Sequence, residues 1–141
     1  MQWRPRAVAW SNLWLLAVIF SLVACEHRQG VAPQLGLAPT FSSIKANIFT
    51  PKCVNAGCHP GGGAPMSLQS GVAYENLVNV LSTGFAPLNR VEPNDAENSV
   101  LYLKILGDPR TGNRMPLGRT PLDSDLIEAV KNWINAGAEN N

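Results

Sequence analysis

The stretch CVNAGCH, residues 53–59, decides the fold predicted for this chain. Four residues separate Cys53 from Cys58, and His59 follows the second thiol directly. A thiol pair followed at once by histidine is the arrangement that bonds haem covalently, because each sulfur can add to one vinyl group while the adjacent imidazole ligates the iron. The usual spacing leaves two residues between the cysteines, so the stretch predicts a covalent haem site of a longer variant.

Three other chemistries fit parts of this stretch. Cys53 and Cys58 could form a disulfide that closes a short loop in an oxidising compartment. Copper would accept two thiolates, an imidazole and a thioether, although known copper sites have other spacings. Zinc needs four donors, and the only other histidine, His27, lies far from the stretch in the linker before the domain. We set zinc aside and keep the disulfide and copper as alternatives.

The segment over residues 1–24 is typical of an export signal. Arg4 and Arg6 precede an apolar run over residues 7–24, which gives the charged start and apolar middle of a secretory signal peptide. The run is also just long enough for an uncleaved membrane helix. Either interpretation takes the rest of the chain out of the cytoplasm, and the first removes residues 1–24 as a signal peptide.

The end of the apolar run predicts a lipid anchor. Residues 22–25, Leu-Val-Ala-Cys, resemble the lipobox of bacterial lipoproteins, and the resemblance implies that Cys25 is acylated and becomes the mature N-terminus. Residues 26–39 contain two prolines and no sustained periodicity, so residues 25–39 are predicted to be the lipidated N-terminus and a flexible linker. We expect a domain over residues 40–141, tethered on the periplasmic side of a bacterial membrane or at the cell surface.

Length, charge and composition exclude some classes of protein. The 141 residues suit one domain of ordinary size. Eleven Lys and Arg against ten Asp and Glu give a net charge of +1, so there is no broad positive field to hold nucleic acid. We therefore exclude a nucleic-acid-binding protein. The 12 glycines and 11 prolines indicate short elements joined by many loops.

Four short helices are predicted in the domain, and no stretch alternates as a β-strand does. The residues of the CVNAGCH stretch are predicted to form a loop between the first two helices. The predicted helices run from a cap at Thr40 or Ser42 to Pro51, from about Gly71 to Leu81, from Ser99 to Leu106, and from a cap at Asp123 to Gly137. The predicted fold class is therefore mostly α, with long loops.

Such a fold has too little apolar surface to stabilise itself easily. Short helices joined by glycine-rich loops bury little apolar area relative to the chain entropy that folding must overcome. A small exported domain usually adds several disulfides, but only two cysteines remain once Cys25 is acylated. A large apolar cofactor would complete the core, so this argument and the CVNAGCH stretch predict the same kind of ligand.

The order of the predicted elements resembles a class I cytochrome c domain, with a helix before the cysteines, a late Met-Pro pair and an amphipathic C-terminal helix. The domain is still more similar to a group of small exported bacterial cytochrome c-like lipoproteins. Five segments within residues 41–138 carry the resemblance: IFTPKCVNAGCHPGGGAPM (48–66), AYENLV (73–78), RVEPNDAENSVLYLKI (90–105), NRMPLG (113–118) and WINAGA (133–138). The resemblance implies a cytochrome c-like fold, with three to four short helices and long loops wrapped around one haem.

The resemblance also implies the residues that hold the haem. Cys53 and Cys58 would form the thioether bonds, His59 would be the proximal iron ligand, and Met115 would be the distal ligand. Met66 competes for the distal position, but it follows His59 closely in a Gly/Pro loop, whereas Met115 is far enough along the chain to reach the opposite face. Arg114, beside Met115, is a candidate partner for a haem propionate.

These residues predict an exported electron carrier with one haem c. A haem iron with both axial positions filled does not readily bind a substrate, so its chemistry is one-electron transfer, and we expect no enzymatic activity. The predicted partners are an unidentified redox donor and acceptor and, through the lipid anchor, a membrane. Two alternatives remain: a haem enzyme acting on peroxide or small gases if Met115 does not ligate, and a haem-free, disulfide-stapled binding lipoprotein.

Overall fold

Helices joined by irregular loops make up residues 36–61 and 64–141, which together with Gln2 are the residues that the computed structural model describes. No sheet forms within these residues, and only isolated bridges join extended segments. The predicted mostly-α class is therefore confirmed. The predicted signal segment, Cys25 and the linker up to residue 35 lie outside the described residues, apart from Gln2.

The helical elements are short, and loops separate all of them except the first two, which are contiguous. In chain order they are α1 (Phe41–Ile44), a π-helix (Lys45–Val54), α2 (Ala73–Leu77), a 3₁₀ turn (Ala96–Asn98), α3 (Val100–Leu106), a second 3₁₀ turn (Pro109–Thr111) and α4 (Ser124–Asn135). Among the helices described, none is long and apolar enough to cross a membrane.

The first helix begins where the sequence predicts and ends later. Thr40 is its N-cap, and the side-chain oxygen of Thr40 accepts a hydrogen bond from the Ser43 amide at 3.2 Å. The predicted end at Pro51 is wrong, because α1 continues directly into the π-helix, which includes Pro51 and runs to Val54. Cys53 therefore lies on a helix, and the prediction that it lies in a loop is also wrong.

The π-helix explains why the proline does not end the helix. In an α-helix a proline ring clashes with the carbonyl four residues earlier and lacks the N–H that would bond to it. A π-helix bonds each amide to the carbonyl five residues earlier, as the Asn55 amide does to the Thr50 carbonyl at 2.9 Å. The wider turn accommodates Pro51 and carries the helix on through Cys53.

The second predicted helix is too long. Helix α2 ends at Leu77, and Val78 is already extended. The reason lies in a distant segment: the Val91 amide donates to the Leu77 carbonyl and the Asn79 amide donates to the Val91 carbonyl, each at 3.0 Å. This pairing competes with further helical turns, and Asn79 adopts a φ of 58°, which turns the chain out of the helical direction.

The boundaries of the third and fourth helices are close to those predicted. Ser99 is the N-cap of α3, and Gly107 closes it in the left-handed conformation, with a φ of 87°. Helix α4 starts after Asp123 and ends at Asn135, just before Gly137, whose φ is 104°. These ends depend on local backbone geometry, which is why the sequence predicts them.

An aromatic cluster of Phe41, Phe49, Tyr74 and Trp133 joins α1, the π-helix, α2 and α4. The Phe41 ring centroid lies 5.2 Å from that of Tyr74, 5.5 Å from that of Trp133 and 6.2 Å from that of Phe49. Trp133 Nε1 donates to the Glu139 carbonyl at 2.8 Å, so the polar end of this buried side chain has a partner. The cluster fixes the helix that leads to Cys53.

Candidate functional site

A cavity of about 360 Å³ adjoins the end of the π-helix. Its lining includes the four residues predicted for the haem site: Cys53, Cys58, His59 and Met115. Met115 lies far from the other three in the chain, so the fold brings two distant segments to one space. The other lining residues are Lys52, Gly57, Ala64, Pro65, Pro116 and Leu117.

A second cavity, of about 370 Å³, shares Cys53, His59, Pro65 and Met115 with the first. It extends towards α3 and the loop before it. Most of its further lining is apolar, from Met66, Leu68, Phe85, Val100, Leu101 and Ile105. The two cavities thus share three of the predicted haem-binding residues, Cys53, His59 and Met115, and the second adds the apolar lining that a large, flat, apolar cofactor requires.

His59 is held by one of its two ring nitrogens. Nδ1 lies 3.2 Å from the Met66 carbonyl oxygen, to which it donates when it carries the proton. The imidazole Nε2 then keeps its lone pair, and a carbonyl partner on Nδ1 orients the ring, as is usual for metal-ligating histidines. The Leu68 amide donates to the His59 carbonyl at 2.9 Å, which closes the loop on both sides of Met66.

The two cysteines are thiols in different surroundings. Cys58 is exposed, and its sulfur lies 3.7 Å from the Ala56 carbonyl. Cys53 is half-buried, and its pKa rises from 9.0 to about 11 mainly because burial disfavours the thiolate. The neighbouring Cys58 adds to the rise, and the positive charge of Lys52 partly offsets it. Cys53 is therefore a protonated thiol at neutral pH.

The backbone of Met115 is tied to the end of α3. Its amide donates to the Lys104 carbonyl at 2.8 Å. Gly107 leaves room for the side chain of Arg114, the residue before Met115, because a Cβ built on Gly107 would lie 3.0 Å from Arg114 Cδ. The loop between α3 and Met115 thus folds back on the helix, and this return brings Met115 to both cavities.

Met66 also lines the second cavity, and its position relates it to the histidine. Its carbonyl is the acceptor for His59 Nδ1, so the Met66 backbone belongs to the loop that holds the imidazole. Met115 comes from a separate segment held to α3. The structure therefore brings both methionines to the site, with Met66 attached to the His59 loop and Met115 arriving from elsewhere.

Two cations that the sequence analysis did not single out, Arg90 and Lys104, line the second cavity. Arg90 Nη1 donates to the Asn76 carbonyl at 2.8 Å, and Lys104 Nζ lies 4.7 Å from the Phe85 ring centroid. Within the described chain no Asp or Glu lines either cavity. Both cations fall within the quoted segment RVEPNDAENSVLYLKI, but only the tertiary fold reveals that they meet at a cavity.

Arg114, the candidate partner for a propionate, lies beside the site and does not belong to the lining of either cavity. Its Nη2 donates to the Arg119 carbonyl at 3.1 Å. Its Nη1 is buried and is the one side-chain nitrogen or oxygen, among the residues described, that is buried without a hydrogen-bond partner. A buried, unpartnered guanidinium nitrogen is costly, and an anionic group nearby would compensate it.

The described residues contain no cluster of three or more His, Cys, Asp or Glu side chains able to hold a metal ion by themselves. Any metal at this site would therefore depend on a mixed set of ligands. Comparison with known protein families, curated proteins and solved structures gave no match for the chain. The case for a function thus depends on the residues and geometry of the site.

Proposed function

We propose that the protein is an exported, membrane-tethered electron carrier that holds one covalent c-type haem in a cytochrome c-like fold. One observation carries the proposal: Cys53, Cys58, His59 and Met115 line a single cavity, although Met115 is far away in the sequence. The short motifs alone do not explain why Met115 lies at the same cavity as the cysteine pair and His59. A fold that holds one haem with all four residues does explain it, so the position of Met115 supports the proposal independently of the motif spacing.

The chemistry of the lining fits haem. A haem is a flat apolar macrocycle with two carboxylates at one edge and an iron that takes imidazole and thioether ligands. The apolar side chains around the second cavity suit the macrocycle, and Arg90 and Lys104 suit the carboxylates. The unpartnered Nη1 of Arg114 is a further place for negative charge. The residues present thus match the group part by part.

Each residue has a distinct part in holding the cofactor. Cys53 and Cys58 would carry the thioether bonds, His59 Nε2 and the Met115 sulfur would ligate the iron, and Arg90 and Lys104 would hold the propionates. When bound, the haem supplies a one-electron ferric/ferrous couple. With His59 and Met115 as iron ligands, the apolar side chains that line the second cavity would keep water and substrates away from the group.

Two backbone contacts orient the ligands. The Met66 carbonyl fixes the tautomer of His59, so the lone pair of Nε2 is available whenever the cofactor is present. The bond from the Met115 amide to the Lys104 carbonyl holds the thioether at the end of α3. A ligand set fixed by backbone contacts changes little between oxidation states, which keeps the reorganisation during electron transfer small.

The tether belongs to the same proposal. Cys25 would carry the lipid, and residues 26–39 would connect it to the domain. The predicted anchor lies outside the described residues, so its support is the sequence around residues 22–25. We expect the mature protein to partition with membranes, and we expect Cys25→Ser to accumulate as unprocessed precursor with an unchanged absorption spectrum.

The proposal is tested by producing the full chain in a host with cytochrome c maturation. We expect a low-spin, six-coordinate c-type spectrum, and haem that stays with the polypeptide on a denaturing gel. Cys53→Ser and Cys58→Ser should each weaken or abolish that retention, because each thioether needs its own sulfur. High-spin haem would support the haem enzyme instead, and a chain of unmodified mass without a Soret band would support the haem-free binding lipoprotein.

A further inference from the structure

A chain of hydrogen bonds leads from the second cavity towards the His59 imidazole, and Asn76 of α2 lies in the middle of it. Arg90, which lines that cavity, donates from Nη1 to the Asn76 backbone carbonyl at 2.8 Å. The Asn76 side chain donates from Nδ2 to the Ser67 carbonyl at 2.9 Å. One peptide unit earlier, the Met66 carbonyl oxygen lies 3.2 Å from His59 Nδ1. Asn76 therefore contacts both a cavity cation and the segment that holds the imidazole.

Helix α2 gives Asn76 a fixed base. The next residue, Leu77, is 0% exposed and belongs to the hydrophobic core. Tyr74 Oη donates to the Ala138 carbonyl at 3.0 Å, and the Tyr74 ring contacts the Phe41 ring in the aromatic cluster. These contacts hold α2 in place without the Asn76 side chain. A group carried on a packed helix is positioned more accurately than one on a loop, so Asn76 extends the order of the core to Ser67.

The segment that Asn76 contacts follows a stretch rich in Gly and Pro, and both Met66 and Ser67 are half-buried. The Gln69 amide donates to Ser67 Oγ at 3.2 Å, which is a bond within the segment. The bond from Asn76 connects the same residue to α2 and fixes the peptide unit next to the one that His59 contacts. The direction of the Met66 carbonyl therefore depends on a side chain outside the segment.

We propose that Asn76 is a positioning residue of the haem site. Its side chain holds Ser67 and thereby the Met66 carbonyl that orients His59. Its backbone carbonyl orients Arg90. The inference rests on the proposed function and deepens it, since one residue sets the direction of an iron ligand and of a cation for the haem carboxylates. Hydrogen bonds linked in a chain strengthen one another, so a change at the cation end of this chain is felt at the imidazole end.

The first measurement is the reduction potential of the holo-protein with Asn76→Leu. Leucine has nearly the shape of asparagine but no donor, and the substitution keeps the backbone carbonyl that Arg90 contacts. A hydrogen bond from the N–H of an imidazole ligand to a carbonyl gives the ring more negative character, which favours ferric iron. We expect a higher potential in Asn76→Leu because this bond loosens, with an unchanged low-spin spectrum.

The matched control is Asn47→Leu. The Asn47 side chain also donates from Nδ2 to a backbone carbonyl, that of Ser43 at 2.8 Å, and Asn47 lines neither cavity. The potential of this variant should equal that of the unsubstituted protein. No shift in Asn76→Leu, or the same shift in both variants, would overturn the proposal, because it would leave Asn76 with a structural role only.

The second measurement does not depend on haem and so separates failure of this inference from failure of the proposed function. Amide hydrogen exchange is followed in the full chain at Leu68, whose amide donates to the His59 carbonyl. We expect exchange about three- to tenfold faster in Asn76→Leu, the effect of losing one hydrogen bond, and unchanged exchange at Gly107, whose amide donates to the Leu103 carbonyl. Unchanged exchange at Leu68, or faster exchange at both amides, would overturn the proposal even in a protein with a c-type spectrum. If the chain carries no haem, the proposed function fails, and the exchange at Leu68 still decides whether Asn76 holds the segment.

Two cation variants test the Arg90 end of the chain of hydrogen bonds. Arg90→Met removes the guanidinium that contacts the Asn76 carbonyl, whereas Lys104→Met removes the other cation that lines the second cavity. Lys104 Nζ donates to the Asn113 carbonyl and makes no bond to Asn76. We expect faster amide exchange at Leu68 in Arg90→Met only. Equal effects from the two variants would mean that loss of either cavity cation loosens the segment, and that Asn76 does not connect the two ends of the chain.

Discussion

The two sides of the domain are held together in different ways. On the closed side, α1 and α4 meet through the aromatic cluster, and Phe41 contacts three other rings with centroids 5.2 to 6.2 Å away. On the cavity side, the end of the π-helix and the turn that carries Met115 line space between them. The comparison shows that the chain supplies its own core where helices meet and leaves a cavity beside the cysteines, where we propose that the haem binds.

The largest effect is expected on the closed side. Trp133 is 1% exposed and contacts the Phe41 ring, so Trp133→Ala removes a large buried side chain and leaves a cavity. We expect the free energy of unfolding to fall by about 3–5 kcal/mol, measured by denaturant titration of the holo-protein. The matched control is Leu117→Ala on the cavity side, which should change stability by less than about 0.5 kcal/mol. Equal losses in the two variants would contradict the division into two sides.

The cavity side is tested by removing the two candidate methionine ligands of the iron one at a time. In holo-protein with Met115→Ala we expect complete loss of the weak near-infrared band of sulfur-to-iron charge transfer, a lower potential, and binding of added carbon monoxide, because the thioether favours ferrous iron and closes the sixth position. Met66→Ala keeps the backbone carbonyl that accepts from His59. This control should keep the band. If only Met66→Ala loses the band, Met66 is the distal ligand. If neither does, the ligand is not methionine.

The sequence predicts some helix ends better than others. The ends of α3 and α4 are local, since Ser99, Gly107 and Gly137 act through their own backbone conformations. The end of α2 depends on bonds to Val91, and the passage through Pro51 depends on a π-helix, so local signals give both incorrectly. These two errors involve long-range pairing and an unusual helix, which residue preferences do not encode.

The candidate site divides in the same way. The cysteine pair, His59 and Met115 are found from the sequence because they stand in short motifs. Arg90 and Lys104 carry no motif, and their presence at the second cavity follows from how α3 packs against the loop before it. Single cations beside a cavity are thus found only in the three-dimensional structure, whereas residues in short motifs are found in the sequence.

A smaller effect is expected from Gly107, which closes α3 before the loop that carries Met115. Gly107→Ala places a Cβ at a φ of 87° and 3.0 Å from Arg114 Cδ. We expect stability to fall by about 1–2 kcal/mol, with a measurable change in the Met115 charge-transfer band as the loop shifts. Gly71→Ala is the control, because its Cβ would meet nothing within 4 Å. A stable Gly107→Ala protein with an unchanged band would show that the return of the loop does not position Met115.

The smallest effect concerns the Cys53 thiol in chain produced without haem. Burial raises the pKa of Cys53 from 9.0 to about 11, so its thiolate fraction at pH 8 is about a hundredfold lower than usual. The higher basicity of the thiolate recovers part of this loss, and alkylation by iodoacetamide should be about tenfold slower than in guanidinium. Because the folded state holds the Cys53 proton to higher pH than the unfolded state does, the contribution of this thiol to the free energy of unfolding is full below pH 9 and is lost as the pH rises through 11. If Cys53 reacts equally fast with and without guanidinium, the cavity side is not folded in the haem-free chain. The two sides would then differ in whether they fold without haem as well as in how they pack.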